Sequence, residues 1–437
     1  MDRLQTARAE IDRIDAQMAR LFAARMAAAA DVAAWKRENG RPVRDPAREA
    51  ELLARNCAAI PDPALRAPYA VFLKQLLALS RDYQTGLLCP DGPERITLRT
   101  PGGCSVLLLR RGLLQELPAL LPQDRRVFLV TDNGVPSRDT ETAAAACRCA
   151  GRFVLPQGEA HKSLETLTAL LCAMQEAELT RDDCVLAVGG GVVGDLAGFA
   201  ASVYLRGIDW YNLPTTLLAM VDAAVGGKTA VNLGGVKNAA GSFWPPKAVW
   251  LDPALLDTLP RRQLANGLAE AVKMALTHDA ALFARFEDPA GYGAIEEIIA
   301  ACLRIKSAVV AADEREAGLR RVLNFGHTLG HGIEAAAGGS LLHGECVALG
   351  MLPMCAPPLR ERLRAVLERL GLPTSVNFQA IDPEAILAAA AHDKKGAGDG
   401  SITTVYVPEP GRYEFRRLSP EQLRALLFSC GGESTTV

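Results

Sequence analysis

No apolar run in this sequence approaches the ~20 residues a helix needs to span a bilayer, so no membrane partner is expected. A surplus of charge is missing as well. Forty-eight Lys and Arg stand against 50 Asp and Glu, a formal net charge of -2. Such a balance gives no electrostatic footprint for nucleic acid or an anionic membrane surface. The first residues, MDRLQTARAEIDRID, lack the apolar core of a signal peptide. The cysteines form no CxxC pair, and their count of 11 is odd. Scattered thiols of this kind suit a reducing cytoplasm, which is the expected location. Repeats and low-complexity tracts are absent apart from alanine-rich helix faces. Histidine is scarce too, at six, yet three of the six (His327, His331 and His343) fall within the stretch FGHTLGHGIEAAAGGSLLHGE.

The 437 residues divide by pattern. Residues 1–88 read as three helices without strands. Leu4, Ala7, Ile11, Ile14, Met18, Leu21 and Ala28 form a heptad seam that Gly40 and Pro42 end. A helix of roughly 35 residues is about 50 Å long at ~1.5 Å per residue. Eighty-eight residues cannot bury such a length alone, so a partner chain is expected. Asp45-Pro46 and Asp62-Pro63 read as helix starts with Pro at the first helical position. Residues 89–94 (CPDGPE) read as a linker. From 95 to 252 apolar strand-like runs such as RRVFLVTD and DCVLAVGGG alternate with helical sequence, which is α/β organisation. From 253 to 430 helical pattern dominates, with one strand-like piece, SITTVYV.

The first helix carries an anomaly. Arg25 shares the heptad column of Leu4, Ile11 and Met18, and Arg8 and Lys36 share that of Phe22. A cation beside an apolar seam is costly unless an anion meets it. The two readings are pairing with Asp15 or Asp31, with the stems snorkelling, and a cationic pocket for a small dianion. The pattern R…ID.ID…L…R…A..VA..K…G.PVRDP.RE..LL resembles the all-helical chorismate mutase family over nearly all of residues 1–88. That resemblance implies an interlocked dimer converting chorismate to prephenate without a cofactor. It implies a site made of Arg8, Arg25, Lys36, Asp45, Arg48, Glu49, Ser80 and Gln84, with Arg8 entering the other subunit's site. Arg25 and Arg48 would hold carboxylates by forked hydrogen bonds. Lys36 and Gln84 would stabilise the ether oxygen, and Glu49 would meet the hydroxyl.

Farther on, VLAVGGGVVGDLAGFAA sets Gly189, Gly191 and Gly194 in the spacing of a dinucleotide fingerprint between a strand and a helix. Spacing alone points to Asp209, about 20 residues on, as the ribose ligand, although RGIDWYNLPTT reads as a loop entering a strand. DLAGFAASVYLRG, LPTTLLAMVDAAVGGKTAVN, GVKNAAGSFWPP, NGLAEAVKMAL and FGHTLGHGIE resemble 3-dehydroquinate synthase, in family order, over about residues 95–420. The resemblance implies NAD held by Asp132, Glu159, Lys162, Gly190, Gly191, Asp195, Thr215, Thr216 and Thr258, with Asp222 and Lys237 near the nicotinamide end. It does not implicate Asp209. Trp244-Pro245-Pro246 replaces the family's Tyr-Gln-Pro, and the fusion itself is a departure from stand-alone relatives of either half.

Spacing and resemblance differ over the metal. Spacing alone favours His327 and His331, four residues apart on one helix face. The resemblance gives one divalent metal, zinc or cobalt, to Glu270, His327 and His343, and puts His331 against the substrate. Two histidines and one carboxylate leave a coordination position open for catalysis. The resemblance surrounds the substrate with Arg206, Lys228, Asn238, Lys273, Lys306, Glu316, Arg320 and Asn324, joined by Lys394 or Lys395. The implied substrate is 3-deoxy-D-arabino-heptulosonate 7-phosphate, DAHP. NAD would take a hydride and return it, with phosphate lost between the two transfers. Two rivals stand beside this reading: another sugar-phosphate cyclase on the same fold, and an N-terminal module that only regulates or dimerises. The expected architecture is thus an all-α three-helix module, a Rossmann-like α/β domain and a mostly helical metal-binding domain.

Overall fold

A computed structural model describes residues 3–39, 45–88, 94–392 and 401–429. The chain forms two compact units, Met1–Arg95 and Ile96–Val437. The first consists of α1 (Arg3–Glu38), α2 (Pro46–Ala58) and α3 (Pro63–Leu88). Asp45 caps α2 by accepting from the Arg48 amide at 3.0 Å, and Asp62 accepts from the Ala64 amide at 2.9 Å at the start of α3. Both are the Asp-Pro starts that the sequence advertises. The core of this unit is small among the described residues: Ala29 and Ala33 of α1 and Leu73 and Leu77 of α3 are its buried apolar side chains, and α1 packs against α3. Every residue from 3 to 24 on α1 is exposed, the seam residues Leu4, Ile11, Ile14, Met18 and Leu21 included.

The second unit is built on a seven-stranded sheet. Its strands are β1 (Glu94–Thr100), β2 (Gly103–Leu109), β3 (Arg126–Asp132), β4 (Arg148–Leu155), β5 (Cys184–Gly189) and β6 (Asp209–Pro214), with β9 (Ala248–Leu251) following the hairpin of β7 (Lys228–Leu233) and β8 (Val236–Phe243). The order is β1-β2-β9-β6-β5-β3-β4, and every pairing from β2 to β4 is parallel. Alternating side chains feed two cores: Val127 and Leu129 one, Phe128 and Val130 the other. The interior strand β5 is buried along its whole length, which explains its unbroken apolar run. Helices α4 (Leu113–Leu120), α5 (Ser137–Ala145), α6 (Leu164–Glu176) and α7 (Gly191–Val203) connect the strands. Glu94 already belongs to β1, and residues 89–93 of the expected linker lie outside the described residues.

Beyond β9 the chain is helical, as its pattern predicts. It runs through α8 (Arg261–His278), α9 (Ala280–Glu287), α10 (Ile295–Ala312), α11 (His327–Ala336), α12 (His343–Met351), α13 (Pro357–Arg369), α14 (Pro383–His392) and α15 (Pro420–Phe428). A single antiparallel hairpin, β10 (Ile402–Glu409) with β11 (Arg412–Leu418), interrupts it. SITTVYV is thus the first half of a pair whose second half, RYEFRRL, is too charged to stand out as a strand. α8 packs against α10, α12 and the short turn Ala219–Ala223. Among the described residues no helix is long and apolar enough to cross a membrane.

Candidate active sites

The sheet fixes where a nucleotide can sit. Asp132 ends β3, Glu159 and Lys162 follow β4, Gly190 and Gly191 follow β5, Thr215 and Thr216 follow β6, and Thr258 follows β9. All the residues expected at the cofactor, Asp222 and Lys237 aside, therefore follow the carboxyl end of a parallel strand or lie on the next helix, where open α/β sheets bind ligands. Gly190 stands at the N-cap of α7, and a Cβ added there would meet Thr216 at 3.2 Å. The closeness leaves the amide end of α7 open to an anion. Lys162 binds Asp195 and Asn238, each at 2.5 Å. Burial holds the Asp195 carboxyl above its ordinary range in spite of Lys162. Asp132 accepts from the Gly134 amide at 2.8 Å. Thr258 is exposed.

Asp209 has a different task. It begins β6, at the amino end of the strand, and pairs with Arg125 at 2.8 Å and Lys247 at 3.1 Å. A carboxylate there faces away from the ligand side of the sheet, so the fingerprint spacing misleads.

Three elements build the second site. α8 supplies Glu270 and Lys273, α11 supplies His327 and His331, and the N-terminus of α12 supplies His343. Glu270, His327 and His343 each offer a ligand atom, all within 4.8 Å of one another. Glu270 Oε1 lies 3.7 Å from His327 Nε2 and 3.6 Å from His343 Nε2. Ligands about 2.0–2.1 Å from a tetrahedral cation stand about 3.4 Å apart, close to these gaps. Neither Glu270 oxygen accepts a hydrogen bond of regular geometry, although both are buried and Lys273 Nζ forms an ion pair with Oε2. A buried carboxylate so poorly satisfied fits a cation ligand. His331 is close, its ring 5.0 Å from that of His327 and 5.9 Å from that of His343. It groups with Glu334 and His343 instead of with Glu270. The helix face shared by His327 and His331 is real, but the third donor comes from another helix and selects only one of them.

Electrostatics tie this centre to its surroundings. Burial works against the Glu270 charge, but Lys273 and His343 together outweigh it and hold the carboxyl below its usual range. Burial likewise opposes the proton on His343, yet Glu270 and Glu334 raise it to about 9. Burial pushes His327 well below the ordinary imidazole value. Asp222 lies on a π-turn, a local widening common at functional sites. It accepts from Lys306 Nζ at 2.5 Å and is held strongly ionised against its burial by Lys306 and Lys273. Burial draws Lys306 down to about 8, Asp222 opposing. Lys228 and Asn324 both donate to Glu316. Arg320 is buried and donates to the Glu314 carbonyl.

Backbone strain marks the same places. Arg206, Asn238 and Glu316 have φ of 70°, 54° and 61°, and only two other non-glycine residues among those described are positive. Non-glycine residues hold such angles only when their surroundings impose them. Asn238 reaches Lys162 on the nucleotide side, and Lys237 beside it pairs with Glu334 at 2.7 Å. Arg206 is the exception in that its side chain is exposed. Lys394 and Lys395 lie outside the described residues.

Three residues escaped the sequence reading. Asn232 donates to Glu159 at 3.0 Å and accepts from the Asn238 amide at 2.9 Å. Glu314 accepts from the Gly102 amide at 3.0 Å and from Thr100, holding the loop that carries Glu316. Neither position has a local signal, because its partners are remote in sequence. Glu334 had one: it falls three residues after His331 and seven after His327, on the same helix face.

In the first unit the expected residues divide by depth. Ser80 and Gln84 are buried on α3, Gln84 Nε2 donating to Ser80 at 3.4 Å. Arg25 Nη1 and Gln84 Oε1 are buried with no hydrogen-bond partner among the described residues. Glu49 accepts from Arg81 at 2.7 Å, Lys36 is half-buried, and Arg48 is exposed and donates to Glu51 at 2.8 Å. Asp45 is occupied as the α2 cap, and Arg8 lies on the exposed half of α1.

Comparison with known proteins finds matches to both parts of the chain. Residues 7–85 match the family model for chorismate mutase type II. Residues 152–266 and 267–396 match those for the N-terminal and C-terminal parts of 3-dehydroquinate synthase. The 3-dehydroquinate synthase of Symbiobacterium thermophilum is 43% identical over 341 residues, 72% of this chain and 94% of that protein. The crystal structure of 2-deoxy-scyllo-inosose synthase with carbaglucose-6-phosphate, NAD+ and Co2+ is 25% identical, with a TM-score of 0.69 over 77% of this chain and 100% of that one. The structure of 2-epi-5-epi-valiolone synthase from Streptomyces hygroscopicus subsp. jinggangensis 5008, with NAD+ and Zn2+ bound, is 31% identical, with a TM-score of 0.67 over 74% and 96%. This chain belongs to the 3-dehydroquinate synthase family and carries a chorismate mutase type II region ahead of it.

Proposed function

We propose that residues 95–430 convert DAHP to 3-dehydroquinate and phosphate, and that residues 1–88 convert chorismate to prephenate, both steps serving aromatic amino acid biosynthesis. The observation that carries the first half is the buried Glu270 carboxylate, short of hydrogen bonds, with two imidazoles 3.6 and 3.7 Å away. It lies among cations suited to a phosphorylated acid. Glu270, His327 and His343 would hold zinc or cobalt, and NAD would lie along the carboxyl ends of β3 to β6 and β9. Once bound, the metal lowers the proton affinity of the substrate hydroxyls, and NAD takes up a hydride and gives it back.

The chain's own residues supply position and charge. Lys228, Arg320 and Asn324, with Lys394 or Lys395, would hold the phosphate and carboxylate. Asp222 keeps Lys306 in place, Glu316 does so for Lys228 and Asn324, and Lys273 keeps Glu270 ionised. Charges fixed in advance in a buried site need not reorganise as the phosphate bond breaks. In the first unit Arg25 Nη1 is a buried donor with no hydrogen-bond partner among the described residues, as an apo pocket for a dianion would present.

A homodimer is part of this reading. More than half of a 36-residue helix carries an apolar ladder exposed to water, whereas helices in proteins draw most of their stability from packing such a face. A second copy laid on the ladder would bury it and bring Arg8 into the partner's mutase site. A cytoplasmic location fits the free thiols of Cys184, Cys302, Cys346 and Cys355, all buried.

Assay of the purified chain with DAHP and, separately, with chorismate tests both halves. Expected are dehydroquinate with phosphate release, and prephenate; failure of either substrate to turn over refutes that half. The rival cyclase reading rests on the two structural neighbours. At 25% and 31% identity against 43% for the dehydroquinate synthase, it is the weaker. Turnover of another sugar phosphate in preference to DAHP would reverse that order. Full cyclase activity with no prephenate formation would leave residues 1–88 a regulatory or dimerising module.

A further inference from the structure

Glu334 is not among the residues expected at the site, yet it touches two of them. It lies on α11, 12% exposed at the side chain. Its Oε2 is 3.2 Å from His343 Nδ1, and its Oε1 is 2.7 Å from Lys237 Nζ. An ionised carboxylate only accepts hydrogen bonds, so the Nδ1 that faces it must carry the proton. A neutral imidazole protonated on Nδ1 has its lone pair on Nε2. That atom is the one 3.6 Å from Glu270. One contact on the far side of the ring therefore decides which nitrogen is offered to the cation. It also fixes the ring's rotation, because His343 is the first residue of α12 and is 27% exposed, less confined than His327.

We propose that Glu334 is a positioning residue for the metal centre: it sets the tautomer and orientation of His343, and Lys237 holds it in place from the opposite side. This rests on the reading that Glu270, His327 and His343 hold a cation. The three donors come from three helices, and α12 starts after the loop that follows α11. Glu334 bridges that break by tying the last turn of α11 to the first residue of α12. It also reaches β8, 97 residues away in sequence, so one carboxylate joins the metal helices to the β7–β8 hairpin. Carboxylates behind ligating histidines raise ligand basicity and cut the cost of ordering the ring, and their loss typically weakens metal binding about 10–100-fold.

His331, Glu334 and His343 also group closely enough to suggest a second cation. The ammonium of Lys237 argues against it, because it already neutralises the Glu334 carboxylate at 2.7 Å. One cation per chain is the expected stoichiometry.

The experiment titrates Co2+ into the metal-free full-length chain, reading visible absorption, stoichiometry and affinity for wild type, Glu334→Ala and Glu334→Gln. Glu334→Ala should bind one Co2+ about 10–100-fold more weakly, with an altered absorption band. Glu334→Gln keeps an oxygen that can accept from Nδ1, so its loss should be smaller and its band nearer to wild type. The glutamine variant preserves the shape, so it carries the test if the alanine variant fails to fold. Wild-type affinity and spectrum in the folded variants would overturn the proposal while leaving the metal reading intact. Two cations per wild-type chain and one in Glu334→Ala would make Glu334 a ligand and overturn it also. No Co2+ bound by wild type would sink the metal reading itself.

Discussion

Replacing Lys306 with methionine removes a buried cation whose burden on the fold can be estimated. The side chain is 7% exposed, and its ammonium donates to the Asp222 carboxylate and carbonyl. Burial disfavours the charged form more than Asp222 favours it, and Arg320 and Lys273 add repulsion, so the group sits at about 8 against an ordinary 10.5. That gap corresponds to roughly 3 kcal/mol. Below about pH 8 both folded and unfolded chains carry the proton, and the penalty is fully present. Between about pH 8 and 10.5 the folded chain has released it and the unfolded chain has not. The unfolded state then binds more protons, so rising pH stabilises the wild type through this group. Groups away from Lys306 cancel in the difference, and Asp222, which loses a supporting cation in the variant, is a carboxylate that titrates on the acid side of this window. The unfolding free energy of wild type minus that of Lys306→Met should be flat from about pH 7 to pH 8 and climb by roughly 3 kcal/mol up to about pH 10.5. Urea unfolding at a series of pH values measures it, with Trp210, Trp244 and Trp250 as reporters in the same unit. A flat or falling difference would refute the account of Lys306. In turnover, KM for the anionic DAHP should rise above pH 8 as the same proton leaves.

EDTA should abolish dehydroquinate formation and spare prephenate formation, and His343→Ala should show the same selectivity; equal loss of both activities would contradict two separate sites. Arg8→Ala and Arg25→Ala should each be inactive toward chorismate, yet regain part of the activity once mixed and re-associated, since one site of the heterodimer keeps both arginines. Absence of recovery despite measured subunit exchange would rule out sharing. A Cβ at Gly350 on α12 would stand 2.0 Å from the Gly326 carbonyl, next to His327, so Gly350→Ala should lower stability by about 1–3 kcal/mol and loosen Co2+ binding together. Thermal unfolding and a Co2+ titration indistinguishable from wild type would show that α11 and α12 are not packed this closely.

What the sequence determined by itself is what each segment decides alone. The Asp-Pro pairs set the starts of α2 and α3 because caps and fixed φ act within one turn. The run Cys184–Gly189 had to be a buried strand, and the glycines after it had to turn into α7, because period and turn chemistry are local. The seam on α1 announced an uncovered face, since seven apolar positions in one stripe need something to pack on. Tertiary structure decided which charged groups meet. Lys306 and Asp222 are 84 residues apart, Glu334 and Lys237 97, Glu314 and Gly102 212. Periodicity reports the face of one element and says nothing of the element opposite. For that reason helical spacing could set His327 beside His331, but only the packing of α12 against α8 and α11 brought His343 to Glu270. The same reasoning separates Asp209 from the nucleotide: a fingerprint counts residues, whereas the end of the strand on which a carboxylate falls is fixed by the direction in which β6 enters the sheet.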